Sequence, residues 1–173
     1  MDAGETGGQM SDTIDKILDA VIKAEGGAKM TNDPLDGGRR TQFGISERAH
    51  PEAWADNKVT EEEARAIYRK KYLESTGIVH IKDWRLQHLM CDMAVLHGPG
   101  PTIHMLQRLI GLTVDGILGP KSLAAANGHD PVILTNKLVA ERIRLIAKIV
   151  SNNPSQSRFV LGWINRCLEF WIY

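Results

Sequence analysis

The residues best suited to chemistry lie in one short stretch: Glu25 followed by Gly26-Gly27, then Asp33, Asp36 and Thr41. A carboxyl that protonates a leaving oxygen, with a second group that holds a water or stabilises positive charge on a sugar, is the equipment of glycoside hydrolysis. The acid of such a set must stay protonated near neutral pH, which requires apolar or negative surroundings. Glu25 follows an apolar stripe, Ile14, Ile17, Leu18, Val21 and Ile22, whose spacing marks one face of a helix. Its position at the C-terminal end of that helix places it at the negative pole of the helix dipole. The two glycines after it break the helix and leave room for close approach of a substrate. Taken alone, an acid before Gly-Gly is more often only a helix end, and Asp in a turn more often only a turn.

The elements around this stretch must bring its parts together. Ser11 or Asp12 is expected to cap the first helix, and residues 1–10, Gly-rich and without apolar period, read as a leader outside the fold. The turn-forming run 32–40, NDPLDGGRR, separates two short arms, 28–31 and 41–45, that can pair as a small β-ribbon. A ribbon folding back over the helix end would bring one Asp and Thr41 opposite Glu25, with a cleft for an extended sugar chain. The rest reads as helical. Thr60-Glu61-Glu62-Glu63 is a capping box ahead of Ala64, Ile67, Tyr68 and Tyr72. Residues 84–97 carry Leu86, Leu89, Met90, Met93 and Leu96, and Gly98-Pro99-Gly100-Pro101 stops that helix before another beginning at Ile103. Pro120 suits the first position of a short helix, and Asp130-Pro131 opens a long one that ends at Asn152-Asn153-Pro154. Phe159, Trp163 and Cys167 mark the last. The fold class expected is mainly α, an α+β arrangement of about seven helices with one small early β-ribbon flanking the cleft. A catalytic lobe over 11–98 and a helical lobe over 99–173 are expected to pack as one compact body, since Gly-Pro-Gly-Pro is too short for a flexible linker.

Bulk properties narrow the function classes. The chain has 173 residues, 43% of them hydrophobic, enough for a well-buried core. Lys+Arg and Asp+Glu are both 21, so a nucleic-acid partner, which needs a basic footprint, is disfavoured. The two cysteines, Cys91 and Cys167, sit in apolar helical patterns and read as buried thiols. Six histidines lack any metal-binding spacing, so neither metal nor organic cofactor is expected. No apolar run suits a membrane span or a signal peptide, so delivery to a substrate outside the cytoplasm would need another agent.

Two groups of motifs carry a family resemblance. Glu25-Gly26-Gly27, then Asn32-Asp33-Pro34-Leu35-Asp36-Gly37-Gly38, then Thr41-Gln42-Phe43-Gly44-Ile45-Ser46 resembles the opening of glycoside hydrolase family 108, the phage endolysins and related secreted muramidases. Residues 91–100, Leu106-Gln107-Arg108, 114–123 and Gly162-Trp163-Ile164-Asn165-Arg166 resemble the predicted peptidoglycan domain that follows in such proteins. The resemblance implies a lysozyme-like fold and cleavage of the β-1,4 bond between N-acetylmuramic acid and N-acetylglucosamine, with Glu25 as acid. It implies Asp33 or Asp36, with Thr41, as the partner that positions water or stabilises the transition state. The Glu, Asp, Thr order is similar to that of phage T4-type lysozymes, which favours Asp33 over Asp36. Gln42, Trp54 and His97 are the candidate substrate contacts; Trp84, Trp163 and Trp171 are further stacking candidates, with Trp163 more suited to a core.

The expected partner is the peptidoglycan glycan strand, met by a monomer that is made in the host cytoplasm, delivered by a holin or a dedicated export system, and not inserted in the membrane. Ala28 and Arg39 depart from the family pattern. A non-catalytic peptidoglycan-binding protein is therefore the rival reading, and an enzyme cutting another bond of the same polymer is a second.

Overall fold

The apolar stripe of the first helix is buried where its spacing puts it. Helix α1 spans Glu5–Ala24, and Ile14, Ile17, Leu18, Val21 and Ile22 are all core residues. The structure, a computed structural model, describes residues 5–32 and 40–173. The helix begins at Glu5, upstream of the expected cap at Ser11 or Asp12. Once a helix is nucleated, each added residue costs little, and it extends past weak formers such as Gly7-Gly8.

Three short antiparallel strands follow in the order β1-β2-β3: β1 (Thr31–Asn32), β2 (Arg40–Gln42) and β3 (Ile45–Ser46). The expected ribbon has two arms; the second of them turns back on itself. Gln42 pairs with Ile45, leaving Phe43-Gly44 as a two-residue loop with φ of 51° and 74°. Two positive φ values make this a type I′ hairpin turn, whose twist matches the strands it joins. That turn favours Asn-Gly or Asp-Gly, and a Phe in its first position hides it from sequence inspection.

Helix α2 (Glu61–Tyr68) carries the expected capping box: Glu63 N–H donates to Thr60 Oγ1 (3.2 Å), and Thr60 N–H donates to Glu63 Oε2 (2.8 Å). The helix widens into a π turn over Arg69–Glu74. Arg65 ties it to α1 through Asp19 and through Asp15 (3.3 Å), and Arg69 reaches the same Asp15 oxygen (3.3 Å).

The chain divides into two compact units between Ser75 and Thr76. The second holds α3 (Trp84–His97), α4 (Pro99–Leu109), α5 (Pro120–Gly128), α6 (Pro131–Asn152) and α7 (Val160–Leu168). The fold is thus mainly α with a small sheet, as expected. Helix α6 packs against α3, α4 and α7, burying Leu134, Leu138, Val139 and Ile146. Gly98-Pro99-Gly100-Pro101 is a sharp corner, not a loop: Gly98, with φ of 87°, ends α3 and α4 starts at Pro99 instead of Ile103. Prolines are tolerated in a first turn because no N–H there has a helical partner.

The turn at Asp115-Gly116 is structural. The amide of Gln107, which is 1% exposed, donates to Asp115 Oδ1 (2.7 Å) and Ile117 O (3.0 Å) and accepts from Gly116 N–H (2.9 Å). Cys91 and Cys167 are both buried and unpaired, and burial pushes the Cys91 thiol up to about 12. No helix among the described residues is long and apolar enough to cross a membrane.

Candidate active site

Glu25 occupies the cap position at the end of α1. Gly26 N–H donates to Lys23 O (3.3 Å) and Gly27 N–H to Ile22 O (2.9 Å), the paired bonds of a Schellman motif. Gly26, with φ of 96°, is the left-handed residue this motif requires, so the glycine after Glu25 is set by backbone geometry. The motif turns the chain away and leaves the half-buried Glu25 side chain at the helix end.

The β2–β3 hairpin is seated against this end by three contacts. Phe43 N–H donates to Gly27 O (3.0 Å). The buried hydroxyl of Tyr68, from α2, donates to Phe43 O (3.0 Å). Gly44 lies so close to Glu25 that a Cβ placed on it would stand 2.8 Å from Glu25 Cβ and 3.3 Å from Cγ, and would also meet the Tyr68 hydroxyl. Phe43 holds a left-handed backbone that costs a non-glycine residue about 1–2 kcal/mol. Burial of its ring contributes roughly as much or more, which makes the strained turn sustainable.

Gly44→Ala is therefore expected to lose about 2–5 kcal/mol, the sum of the left-handed penalty and overpacking against Tyr68 and Glu25. Thermal melting and peptidoglycan turnover should fall together, because the Cβ displaces the Glu25 stem. An unchanged melting temperature would show that the hairpin is not seated in this way.

Thr41 is half-buried on β2, opposite Thr31 and Ser46. Its neighbours Arg40 and Gln42 point to the other face, since side chains alternate along a strand. Asp33 and Asp36 lie outside the described residues. Gln42, expected to bind substrate, spends its amide on the backbone, donating to Ala28 O (3.2 Å) and accepting from Val59 N–H (3.0 Å). Trp54 is 4% exposed; its indole N–H donates to Ile45 O (3.3 Å) and the Arg40 guanidinium lies 4.9 Å above its ring. The ring holds the hairpin instead of offering an open face to a sugar. Arg40 in turn is locked by Glu47 (2.9 and 3.1 Å) and Asn57 (3.2 Å). The positioning residues that sequence reasoning passed over are Gly44 and Tyr68. The Phe-Gly pair between β-prone residues was the available signal for the first; the hydroxyl role of Tyr68 had none.

His97, the last residue of α3, belongs to the second unit, where it lines a cavity of about 120 Å³ with Leu96, Arg142, Ile146, Ile149 and Trp163. Its Nε2 is buried without a hydrogen-bond partner among the described residues. Beside it is a buried ionic cluster. Asp92 Oδ1 accepts from Arg166 (2.6 and 2.9 Å), and Arg142 Nη1 approaches Asp92 Oδ2 at 2.7 Å, an ion pair out of line for a hydrogen bond. Desolvation first, then the Arg142 charge, lowers His97 from 6.5 to about 4, while Asp92 partly opposes the shift and Arg166 adds to it.

The unfolded imidazole takes up a proton below about 6.5 and the folded one only near 4. The stabilising contribution of the neutral ring is full above 6.5 and is lost as pH falls through that window. Urea denaturation of His97→Gln should accordingly show a shallower loss of stability between pH 6.5 and 4 than the parent chain. Parallel pH profiles would mean that His97 is not held neutral.

Residues 18–98 match the family described as Glycosyl hydrolase 108, and residues 101–168 match the family described as Predicted Peptidoglycan domain. Among solved structures, "Structure of Brucella abortus SagA" is 28% identical to this chain, with a TM-score of 0.74, covering 92% of each chain. No curated protein matches. The family matches part near residue 100, whereas compactness groups α3 with the helices that follow it.

Proposed function

The chain belongs to glycosyl hydrolase family 108, with a peptidoglycan domain after the catalytic segment, and from its being a peptidoglycan-degrading glycosidase we propose that it is a muramidase. The bond cut is the β-1,4 link from N-acetylmuramic acid to N-acetylglucosamine. Glu25 protonates the leaving oxygen. Asp33 or Asp36, with Thr41, positions the water or stabilises the oxocarbenium-like transition state. The observation that carries this reading is the capped helix end, with Glu25 held against Gly44 by the hairpin that bears Thr41. A Schellman motif sets the backbone at Glu25 and the Tyr68 bond to Phe43 O holds the hairpin beside it, so the acid stands on a fixed frame.

Digestion of purified peptidoglycan, with mass spectrometry of the products, tests the assignment. New reducing ends on N-acetylmuramic acid support it. Reducing ends on N-acetylglucosamine, or amide cleavage, would move the activity to another bond, and wall binding without any reducing ends would leave only the non-catalytic reading. The second carboxylate is decided by comparing two substitutions: Asp33→Asn is expected to lose about 10²-fold or more in turnover, and Asp36→Asn much less. The reverse order would transfer the role to Asp36.

In the same reading the protein is a monomeric phage lysin for host lysis that acts on periplasmic peptidoglycan after a holin or an export system gives it access. Bacteria expressing it alone should then keep their turbidity and lyse once the inner membrane is permeabilised. Lysis without permeabilisation would refute that route.

A further inference from the structure

A groove of about 310 Å³ in the second unit runs between the start of α3 and the segment after α7. Trp84 and Trp171, which are 57% and 39% exposed, both line it. Trp54 of the first unit, by contrast, is 4% exposed.

The backbone that carries each ring is held in place. Trp84 is the first residue of α3, directly after Asp83, whose carboxylate caps the helix through Arg85 N–H (3.0 Å) and Leu86 N–H (3.1 Å). Trp171 lies beyond α7, in a segment pinned by Asn136 of α6. The Asn136 amide donates to Ile172 O (2.8 Å) and accepts from Ile172 N–H (3.0 Å). On the other side of Trp171, the Phe170 ring packs edge-on against His88 with centroids 4.8 Å apart. A tail clamped on both sides of one exposed tryptophan is preorganised, which lowers the entropic cost of binding.

The polar groups in the groove balance in sign. Arg85, paired with Asp83 at 2.9 Å, and Glu169 both line it. Burial lowers the pKa of His88, which keeps it neutral at pH 7, so it adds no net charge. Two exposed aromatic rings with a few hydrogen-bonding groups and no net charge suit a ligand that has both apolar C–H faces and a rim of hydroxyl and amide groups. A pyranose ring has that form.

We propose that this groove is a second saccharide subsite, taking an N-acetylated hexosamine ring of the glycan strand between Trp84 and Trp171, with Arg85 and Glu169 bonding its rim. The subsite holds the polymer on the second unit, and it does not depend on Glu25 being the acid.

The probe is the N-acetylglucosamine trimer, titrated into full-length Glu25→Gln protein so that no turnover interferes. The indole N–H signals of Trp84 and Trp171 are expected to shift in the NMR spectrum. Trp84→Ala and Trp171→Ala should each weaken trimer binding about tenfold, a loss near 1.4 kcal/mol. Trp84→Phe and Trp171→Phe should restore most of it, which a purely structural role would not predict. Both rings are exposed, so the alanine variants should melt near the parent temperature. Trimer binding that shifts neither indole, or unchanged affinity in the double alanine variant, overturns the proposal. Absence of hydrolysis by the parent chain would refute the muramidase reading and leave this test untouched.

Discussion

Glu25→Gln is expected to lower hydrolysis of purified peptidoglycan by about 10²–10⁴-fold, the usual contribution of a general acid. The amide keeps the shape of the carboxyl and cannot release a proton to the leaving oxygen. The fold should survive, because what the structure needs at this position is the aliphatic stem beside Gly44 and the backbone of the helix cap, and Gln retains both. A shift in melting temperature of more than about 4 °C would signal a loss on the order of 1 kcal/mol and would confound the result. Glu25→Ala is the poorer test, since it also removes the stem that the hairpin rests on. Near-normal turnover by the Gln variant with an intact fold would remove Glu25 from the mechanism.

Asp92→Ala is expected to cost about 3–5 kcal/mol, the largest stability effect in the second unit. Asp92 is 2% exposed and Arg142 1% exposed, so deleting the carboxylate leaves a guanidinium charge in the core with no counter-charge at hand. Arg166, partly exposed, can turn to solvent, whereas Arg142 lies at the centre of α6 and cannot. A loss of that size is a large share of the roughly 5–15 kcal/mol that holds an ordinary domain together. The contrast that identifies the cause is Asp92→Leu combined with Arg142→Met, which should recover much of the loss because apolar packing often replaces a buried ion pair at little cost. Urea denaturation of the three proteins measures both effects. If the single variant loses less than about 1 kcal/mol, water must reach Arg142 and the cluster is not dry.

Features that depend on neighbours in the chain were legible from the residues alone. The stripe from Ile14 to Ile22, the Thr60–Glu63 capping box, Asp130-Pro131 at the head of α6 and the Gly-Gly stop after Glu25 each act over a few positions, and each lies where its spacing predicts. The motifs around Glu25 and Asp115 were sufficient to suggest the family, because the close approaches that need glycine are written into short runs.

Where distant segments meet was decided only in three dimensions. Trp54 and Trp84 have the same side chain and equally plain surroundings in sequence, yet one is closed off by Arg40 and Ile45 while the other lines a groove with Trp171. Asp92 sits in an apolar helical run, and its partners Arg142 and Arg166 come from α6 and α7. Gln42, a candidate substrate contact by its place in the sequence, joins residues 28 and 59 through its amide. Secondary structure follows from interactions between near neighbours, which a sequence displays directly. Burial and polar pairing follow from which faces the folded chain brings together, and no local pattern encodes that.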